Sequence, residues 1–204
     1  TNGLSNMSGD GGRQFRNYDE ADGLQGKQFN ENAALKLRTG ELVFGGADGF
    51  NIFFPEKLGT NRNVPEVVIA DFQIYNTSAV PGHEIDGNTV LDRSILHTEA
   101  ITLLPGQNVF SITFAALNFF NPEKNQYQYT LSGFHNEWLK ADARSRTVTF
   151  TNLNPGEYVF KVRASNNDGY WNEQGANLRI IVLPPFWKTK TAFALYFLFI
   201  ISGL

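Results

Sequence analysis

The 204-residue sequence contains no cysteine, a single methionine and three histidines. Without cysteine the chain cannot form a disulfide, a thiolate nucleophile or a cysteine-ligated metal site. His83, His97 and His135 are far apart and lack the spacing of metal ligands, so we expect loop or surface histidines and neither a bound metal nor another cofactor.

Charged residues are scarce too, at 18%, and the net charge is −3 with no run of basic residues. A nucleic-acid surface needs clustered Lys and Arg to neutralise phosphates, so we expect no direct DNA or RNA partner.

Aromatic residues, in contrast, make up 14% of the chain and include 18 Phe. This composition indicates a packed, β-rich core, because aromatic and β-branched side chains suit the pleated, half-buried surface of a sheet.

Catalytic patterns are missing as well. No Gly-x-Ser-x-Gly elbow occurs, and Glu137 has no second carboxylate that the sequence identifies as a partner for glycoside hydrolysis. The glycine-rich residues 45–49 lead into a predicted strand, so they offer no helix N-terminus to a phosphate. We predict that this chain is not an enzyme.

The C-terminal residues 191–204 form an apolar run without a charged side chain. As a helix, those roughly 14 residues are about 21 Å long, short of the roughly 30 Å hydrocarbon core of a bilayer. Phe186, Trp187 and two lysines precede the run, as interfacial aromatic and snorkelling side chains precede a membrane span. We predict that residues 186–204 are the start of a truncated transmembrane helix, the alternative being a buried terminal helix.

Residues 1–58 are glycine-rich and contain short predicted strands. Residues 2–6 resemble residues 48–52, at a spacing of about 46 residues that lies within the period of propeller blades. Residues 41–54 indicate a hairpin. We predict a C-terminal remnant of a β-propeller over residues 1–58, the alternative being an ordinary hairpin of the next domain. No signal-peptide pattern opens the chain, so we interpret it as a fragment.

A polar, Gly- and Pro-containing linker is predicted at residues 59–65, and a sandwich domain at 66–185. Seven segments of this domain alternate apolar and polar side chains or are rich in β-branched and aromatic residues. Without helical periodicity among them, they indicate an all-β, immunoglobulin- or fibronectin-III-like β-sandwich. The predicted strands are residues 67–75, 100–104, 108–115, 127–131, 147–151, 157–164 and 177–183.

Residues 153–158, Leu-Asn-Pro-Gly-Glu-Tyr, look like a tyrosine corner. In that motif a turn, here Pro155-Gly156, leads into a strand whose early tyrosine, here Tyr158, donates its hydroxyl to the backbone upstream. We interpret Trp138 as a core tryptophan of the opposing sheet, the alternative being an exposed binding aromatic.

Several motifs in order closely resemble the domain called Y_Y_Y. The resemblance implies that Tyr127, Tyr129 and Tyr158 are the tyrosines of that domain, packed in the sandwich. In the receptors that carry it, the domain lies between two periplasmic β-propellers and the inner-membrane helix of hybrid two-component sensors. Residues 15–18 and 22–25 look like repeats of the last propeller. The matching motifs are residues 127–133, Trp138 and residues 153–158, 161–169 with Trp171, and 184–189.

The resemblance implies receptors that detect glycan breakdown products through a cytoplasmic histidine kinase and a DNA-binding regulator, both outside this chain. This piece would be a relay on the periplasmic side of the inner membrane, anchored once at its C-terminal end. Its partners would be a second copy, paired through the sandwich, the preceding blades of its own chain and the membrane; the missing propellers would bind the oligosaccharide. In such a receptor, the residues that couple the last strand to the membrane helix would be Pro184, Pro185, Phe186 and Trp187.

A carbohydrate-binding module is the main alternative, since β-sandwiches often stack sugars on exposed aromatics. Trp138, Tyr170 and Trp171 are its candidate platforms, with hydrogen-bonding neighbours at residues 166–168. The competing interpretation makes residues 167–169 a turn and Trp171 a cap on the end of the sandwich. A structural adhesin domain predicts repeated sandwiches, and the sequence contains one.

Overall fold

The computed structural model describes residues 3–7 and 15–202, so residues 1, 2 and 8–14 of the predicted propeller remnant and residues 203 and 204 of the predicted membrane helix lie outside it. The chain forms two compact units, which divide between Asn61 and Arg62. The elements are β1 Leu4–Met7, β2 Phe15–Tyr18, β3 Phe29–Lys36, β4 Leu42–Gly46, β5 Gly49–Phe53, β6 Val67–Ile74, β7 Thr77–Ser78, β8 Glu84–Ile85, β9 Asn88–Thr89, β10 Ala100–Leu103, β11 Val109–Ala116, β12 Gln126–Ser132, β13 His135–Asp142, β14 Thr147–Thr151, β15 Gly156–Ser165, β16 Trp171–Val182 and α1 Lys190–Ser202.

The first unit contains two small antiparallel sheets, one of β1 and β2 and one in the order β3-β4-β5. A two-residue turn, Ala47-Asp48, joins β4 to β5. Phe44 stacks on Phe53 at 5.8 Å between ring centroids and meets Phe29 edge-on at 6.2 Å. None of the described hydrophobic side chains of this unit is fully buried, so its core is thin. Its origin in a propeller stays a prediction.

The second unit confirms the predicted β-sandwich. A five-stranded sheet has the order β10-β16-β15-β12-β13, and a four-stranded sheet has the order β14-β11-β6-β7. All neighbours in these sheets are antiparallel except β10 and β16, which run parallel. The short β8–β9 hairpin lies in the connection from β7 to β10.

The core lies between the inner faces of the two sheets. Along β15, Tyr158, Phe160, Val162 and Ala164 are buried at alternate positions, as the period of two in a strand requires. Phe114 of β11 has its ring 5.3 Å from that of Tyr127 and 6.1 Å from that of Phe160, so it joins the two sheets. The largest fully buried side chains are Tyr127, Phe72, Phe110, Phe114, Phe160, Ile74, Leu91, Ile101, Leu103, Ile112, Leu131 and Leu178.

The structure adds a strand that the sequence pattern does not predict. Strand β13 pairs with β12 at the edge of the five-stranded sheet, and most of its side chains are exposed. Exposure on both faces removes the apolar-polar alternation on which the prediction depends. Strand β16 likewise begins at Trp171, six residues before its predicted start, because its first part contains a turn around Gly175 that interrupts the alternation.

The interpretation of Trp138 as a core residue is wrong. Trp138 lies on β13 with 40% of its surface exposed. It shares the outer face of the sheet with Lys140, which pairs with Gln128 of β12. The buried positions of the neighbouring strand β12 are occupied by Tyr127 and Leu131. No tryptophan is among the buried core residues of the part of the chain that the structure describes.

Candidate functional site

The connection between the last strand and the helix is seven residues long, and hydrogen bonds extend through it. Leu183 continues beside β10 by donating its amide to Leu103 O at 3.0 Å. Pro184 and Pro185 follow, and their rings fix φ near −65°, which removes rotational freedom from this stretch. A 3₁₀ turn, Phe186–Lys188, comes next, with Lys188 N donating to Pro185 O at 2.8 Å.

Thr189 links that turn to the helix. Its amide and its hydroxyl both donate to Phe186 O, at 3.1 and 2.7 Å. The hydroxyl also accepts a hydrogen bond from Ala192 N at 3.3 Å, the bond of an N-cap residue, and Phe193 N donates to Thr189 O at 3.1 Å. The 3₁₀ turn and the first helical turn are therefore joined by hydrogen bonds through Thr189.

Helix α1 exposes several large apolar side chains. The helix is 13 residues long, and no helix within the described residues is long and apolar enough to cross a membrane. Phe186 and Trp187, in the turn before it, are 69% and 62% exposed. The exposed large hydrophobic side chains of the helix are Phe193, Leu195, Tyr196, Ile200 and Ile201.

The three tyrosines of the sequence motif lie on the five-stranded sheet. Tyr127 is almost fully buried, and its hydroxyl accepts a hydrogen bond from Ala116 N, on the opposing sheet, at 3.1 Å. Tyr158 donates its hydroxyl to Asn154 O at 2.8 Å, which is the bond of a tyrosine corner. The ring of Tyr129 is half-buried between those of Phe114 and Phe160, each 6.1 Å away. Tyr127 therefore links the two sheets, Tyr158 stabilises the corner, and Tyr129 packs against the core.

Replacing Tyr158 with Phe is expected to lower the free energy of unfolding by about 1 kcal/mol, because the Asn154 carbonyl loses its donor while the ring stays in place. The matched control is Tyr129→Phe, since the Tyr129 hydroxyl forms no hydrogen bond within the described residues and its removal should change stability little. Urea denaturation of both variants measures the difference. Equal effects of the two changes would contradict the corner bond.

Two tryptophans on the outer face of the five-stranded sheet enclose an arginine. The Arg163 guanidinium carbon is 4.5 Å from the Trp138 ring centroid and 5.8 Å from that of Trp171, within cation–π range. Arg163 also donates from Nε and Nη2 to Gln128 Oε1, at 3.0 and 2.7 Å, and from Nη1 to Glu173. In this structure the indole faces of both candidate sugar platforms are thus shared with an arginine that sequence reasoning missed.

The loop that contains Tyr170 is a hydrogen-bonded turn. The buried Asn166 accepts from Asp168 N and Tyr170 N at 2.9 and 3.0 Å, and donates from Nδ2 to Asn63 O at 2.8 Å. Asn166 is therefore used to position the backbone, and Tyr170 remains 37% exposed beside it. The structure brings Trp138 and Trp171 together around Arg163, and it gives the tyrosine no contact with that pair among the described ring contacts.

Within the described residues there is no group of three His, Cys, Asp or Glu side chains that could hold a metal ion. His97 and His83 are exposed, and the ring of His135 packs beside Tyr129, 6.5 Å between centroids. The acidic group with a clear perturbation is Asp142, whose pKa is lowered by hydrogen bonds from the backbone amides of Arg144 and Ser145. That carboxylate closes a turn and has no partner acid.

Comparisons with known proteins give one domain match and several similar, longer sensor proteins. The family model of the Y_Y_Y domain matches residues 118–183, so the resemblance found in the sequence is confirmed there. Histidine kinase P4 of Formosa agariphila is 36% identical over 188 residues, which are 92% of this chain and 13% of that protein. The chain therefore spans a small part of its curated relative.

Two solved structures from B. thetaiotaomicron are similar. One is the extracellular domain of a candidate hybrid two-component system, BT3049, which is 27% identical with a TM-score of 0.67 over 84% of this chain and 22% of that one. The other is the extracellular domain of the candidate hybrid two-component system BT4673, which is 25% identical with a TM-score of 0.53 over 91% of this chain and 23% of that one. The sandwich is thus found in larger sensor domains.

Proposed function

We propose that this chain, which carries a Y_Y_Y domain at residues 118–183 and is homologous to extracellular domains of two-component sensors, is the membrane-proximal relay of such a receptor. It lies outside the cytoplasm, on the periplasmic side of the inner membrane, and residues from Phe186 onward lead into the membrane. The observation that carries this proposal is the short, hydrogen-bonded connection from the core strand β16 to an apolar helix.

The chemistry of that connection supports a membrane boundary. Exposed Phe186 and Trp187 stand directly before the helix, with Lys188 between them and Thr189. Aromatic and lysine side chains favour the interface between lipid and water, where the ring is partly buried and the charge stays hydrated. The helix itself exposes phenylalanine, leucine and isoleucine, which are stable in contact with lipid and unfavourable in contact with water.

In this proposal the ligand and the output lie elsewhere in the receptor. The first unit is the end of a propeller whose remaining blades bind an oligosaccharide, and a cytoplasmic kinase receives the signal. Two copies pair through their sandwiches, so that ligand binding changes the spacing or angle of two membrane helices. Each sandwich acts as a rigid lever, because its core is continuous between the two sheets.

An insertion in the connection tests the proposal. In the full-length receptor, a Gly-Ser-Gly-Ser segment placed between Pro185 and Phe186 separates the strand from the turn that precedes the helix. We expect the oligosaccharide-dependent change in kinase autophosphorylation, measured in membrane vesicles, to be lost while the receptor remains at its normal level. The reason is that a flexible linker does not transmit rotation.

The matched control places the same four residues between Asp86 and Gly87, in the exposed turn of the β8–β9 hairpin. Because that turn is remote in sequence from the helix and ends no core strand, the response should persist there. A receptor that still responds with the insertion after Pro185 would show that the connection does not carry the signal.

A further inference from the structure

The end of the sandwich at which β6 begins contains a cavity of about 400 Å³. It lies between the β11–β12 loop, residues 117–125, and the turn between β13 and β14, residues 143–146. All of its lining residues belong to the second unit. A volume of this size falls within the range of small-molecule sites.

Internal hydrogen bonds hold the β11–β12 loop in shape. The buried Asn118 donates from Nδ2 to Phe120 O at 2.9 Å and to Asn125 Oδ1 at 2.8 Å. Asn121 adopts a left-handed conformation, with φ 53°, and a 3₁₀ turn follows at Pro122–Lys124. On the other side of the cavity, Asp142 accepts from the amides of Arg144 and Ser145 at 2.9 Å. Both walls are therefore formed before any ligand arrives.

A buried tyrosine is among the lining residues. Tyr127 is 2% exposed, lines the cavity, and accepts the Ala116 amide at its hydroxyl oxygen. A phenol has one proton to donate, and no acceptor for the Tyr127 proton is found within the described residues. A ligand oxygen beside this hydroxyl would supply an acceptor.

Two arginines and an exposed aromatic ring are also among the lining residues. Arg144 and Arg146 line the cavity; Arg144 interacts electrostatically with the Asp142 carboxylate, and neither guanidinium forms a salt bridge within 4 Å among the described residues. Glu123 is the one acid among the lining residues. Phe119 extends from the loop with 86% of its surface exposed. Exposing a whole phenyl ring to water is unfavourable, and an apolar ligand face would cover it.

We propose that this cavity binds a small, ring-shaped carboxylate of the sugar-acid class. The carboxylate pairs with Arg144 and Arg146, because a planar guanidinium matches carboxylate geometry with two hydrogen bonds. A hydroxyl of the ring accepts the proton of Tyr127, and the C–H face of the ring lies against Phe119. A neutral sugar offers two of these three interactions, and a simple carboxylate such as acetate offers one. The site does not depend on the relay function.

Calorimetric titration of the complete 204-residue chain in detergent micelles tests the site, with methyl β-D-glucuronide and methyl β-D-glucoside as probes. The two molecules differ in one carboxylate, so the comparison isolates the contribution of the arginines. We expect the glucuronide to bind and the glucoside to bind at least about tenfold more weakly. Equal affinities, or no heat of binding up to about 20 mM glucuronide, would overturn the proposal.

Paired substitutions locate the binding. Arg146→Gln and Phe119→Ala should each weaken glucuronide binding by about tenfold or more. Their controls are Arg179→Gln, on the outer face of the five-stranded sheet, and Phe120→Ala, an exposed neighbour that does not line the cavity; both should leave affinity unchanged. Because all four positions are outside the core, each variant should fold. Binding that survives both site substitutions, or that the controls reduce equally, would place the ligand elsewhere.

Discussion

Replacing Phe114 with alanine is expected to lower the free energy of unfolding by about 4 kcal/mol, a large fraction of the total stability of a typical domain. Phe114 is fully buried, and its ring contacts those of Tyr127, Tyr129 and Phe160 from the opposing sheet. The change removes apolar contacts and leaves a cavity where the two sheets meet. The sandwich cannot close that cavity easily, because its strands are fixed by hydrogen bonds on both sides.

The measurement is urea denaturation followed by tryptophan fluorescence. Trp138, Trp171 and Trp187 are the three tryptophans of the chain, and all of them belong to the second unit, so the fluorescence signal reports that unit. The same chemical change at Phe119, which is 86% exposed, should alter stability by less than about 0.5 kcal/mol. If the two substitutions cost the same, Phe114 is not at the centre of the core.

Replacing Gly175 with alanine is expected to lower the free energy of unfolding by about 3 kcal/mol or more. Gly175 has φ 59° in the turn that interrupts β16, and its amide donates to Asn172 Oδ1 at 3.0 Å. A Cβ added there would lie 2.0 Å from the carbonyl oxygen of Val162, on the neighbouring strand β15. A backbone oxygen cannot move aside without breaking strand pairing, so the clash adds to the strain of a positive φ.

Gly169→Ala separates these two causes. Gly169 also has a positive φ, at 81°, but a Cβ there meets nothing within 4 Å. The Gly169→Ala variant should therefore lose only about 1 kcal/mol of its free energy of unfolding, which is the contribution of the strained backbone conformation. The same denaturation experiment compares them, and a loss at Gly175 no larger than the loss at Gly169 would refute the close approach of β15 and β16 at this bulge.

The parts of the fold that could be predicted are those with a local signal. In strands β11 and β15 buried apolar side chains recur at every second position, and the sequence shows that period directly. The corner bond joins Asn154 and Tyr158, which are only four positions apart, so a single turn motif is sufficient to predict its geometry. Strand β13 lacks such a signal, because it lies at the edge of its sheet and exposes most of its side chains.

The way in which surface side chains come together depends instead on which strands are neighbours in the sheet. Arg163, Trp138 and Trp171 come together because β13, β12, β15 and β16 are adjacent in one sheet, which no local pattern reveals. The cavity below Phe119 requires a loop and a turn that are about 20 residues apart in sequence to lie side by side. Arg163 and its two aromatic neighbours meet only because of this topology.

The position of β16 within its sheet has a mechanical consequence. The strand that continues into the helix is not at an edge: residues Arg179–Val182 pair with β10 on one side and with β15 on the other. A pull along this strand therefore loads two ladders of hydrogen bonds in shear, with all the bonds sharing the force at once. An edge strand pulled in the same direction would load a single ladder, so the central position of β16 distributes tension from the helix over two neighbouring strands.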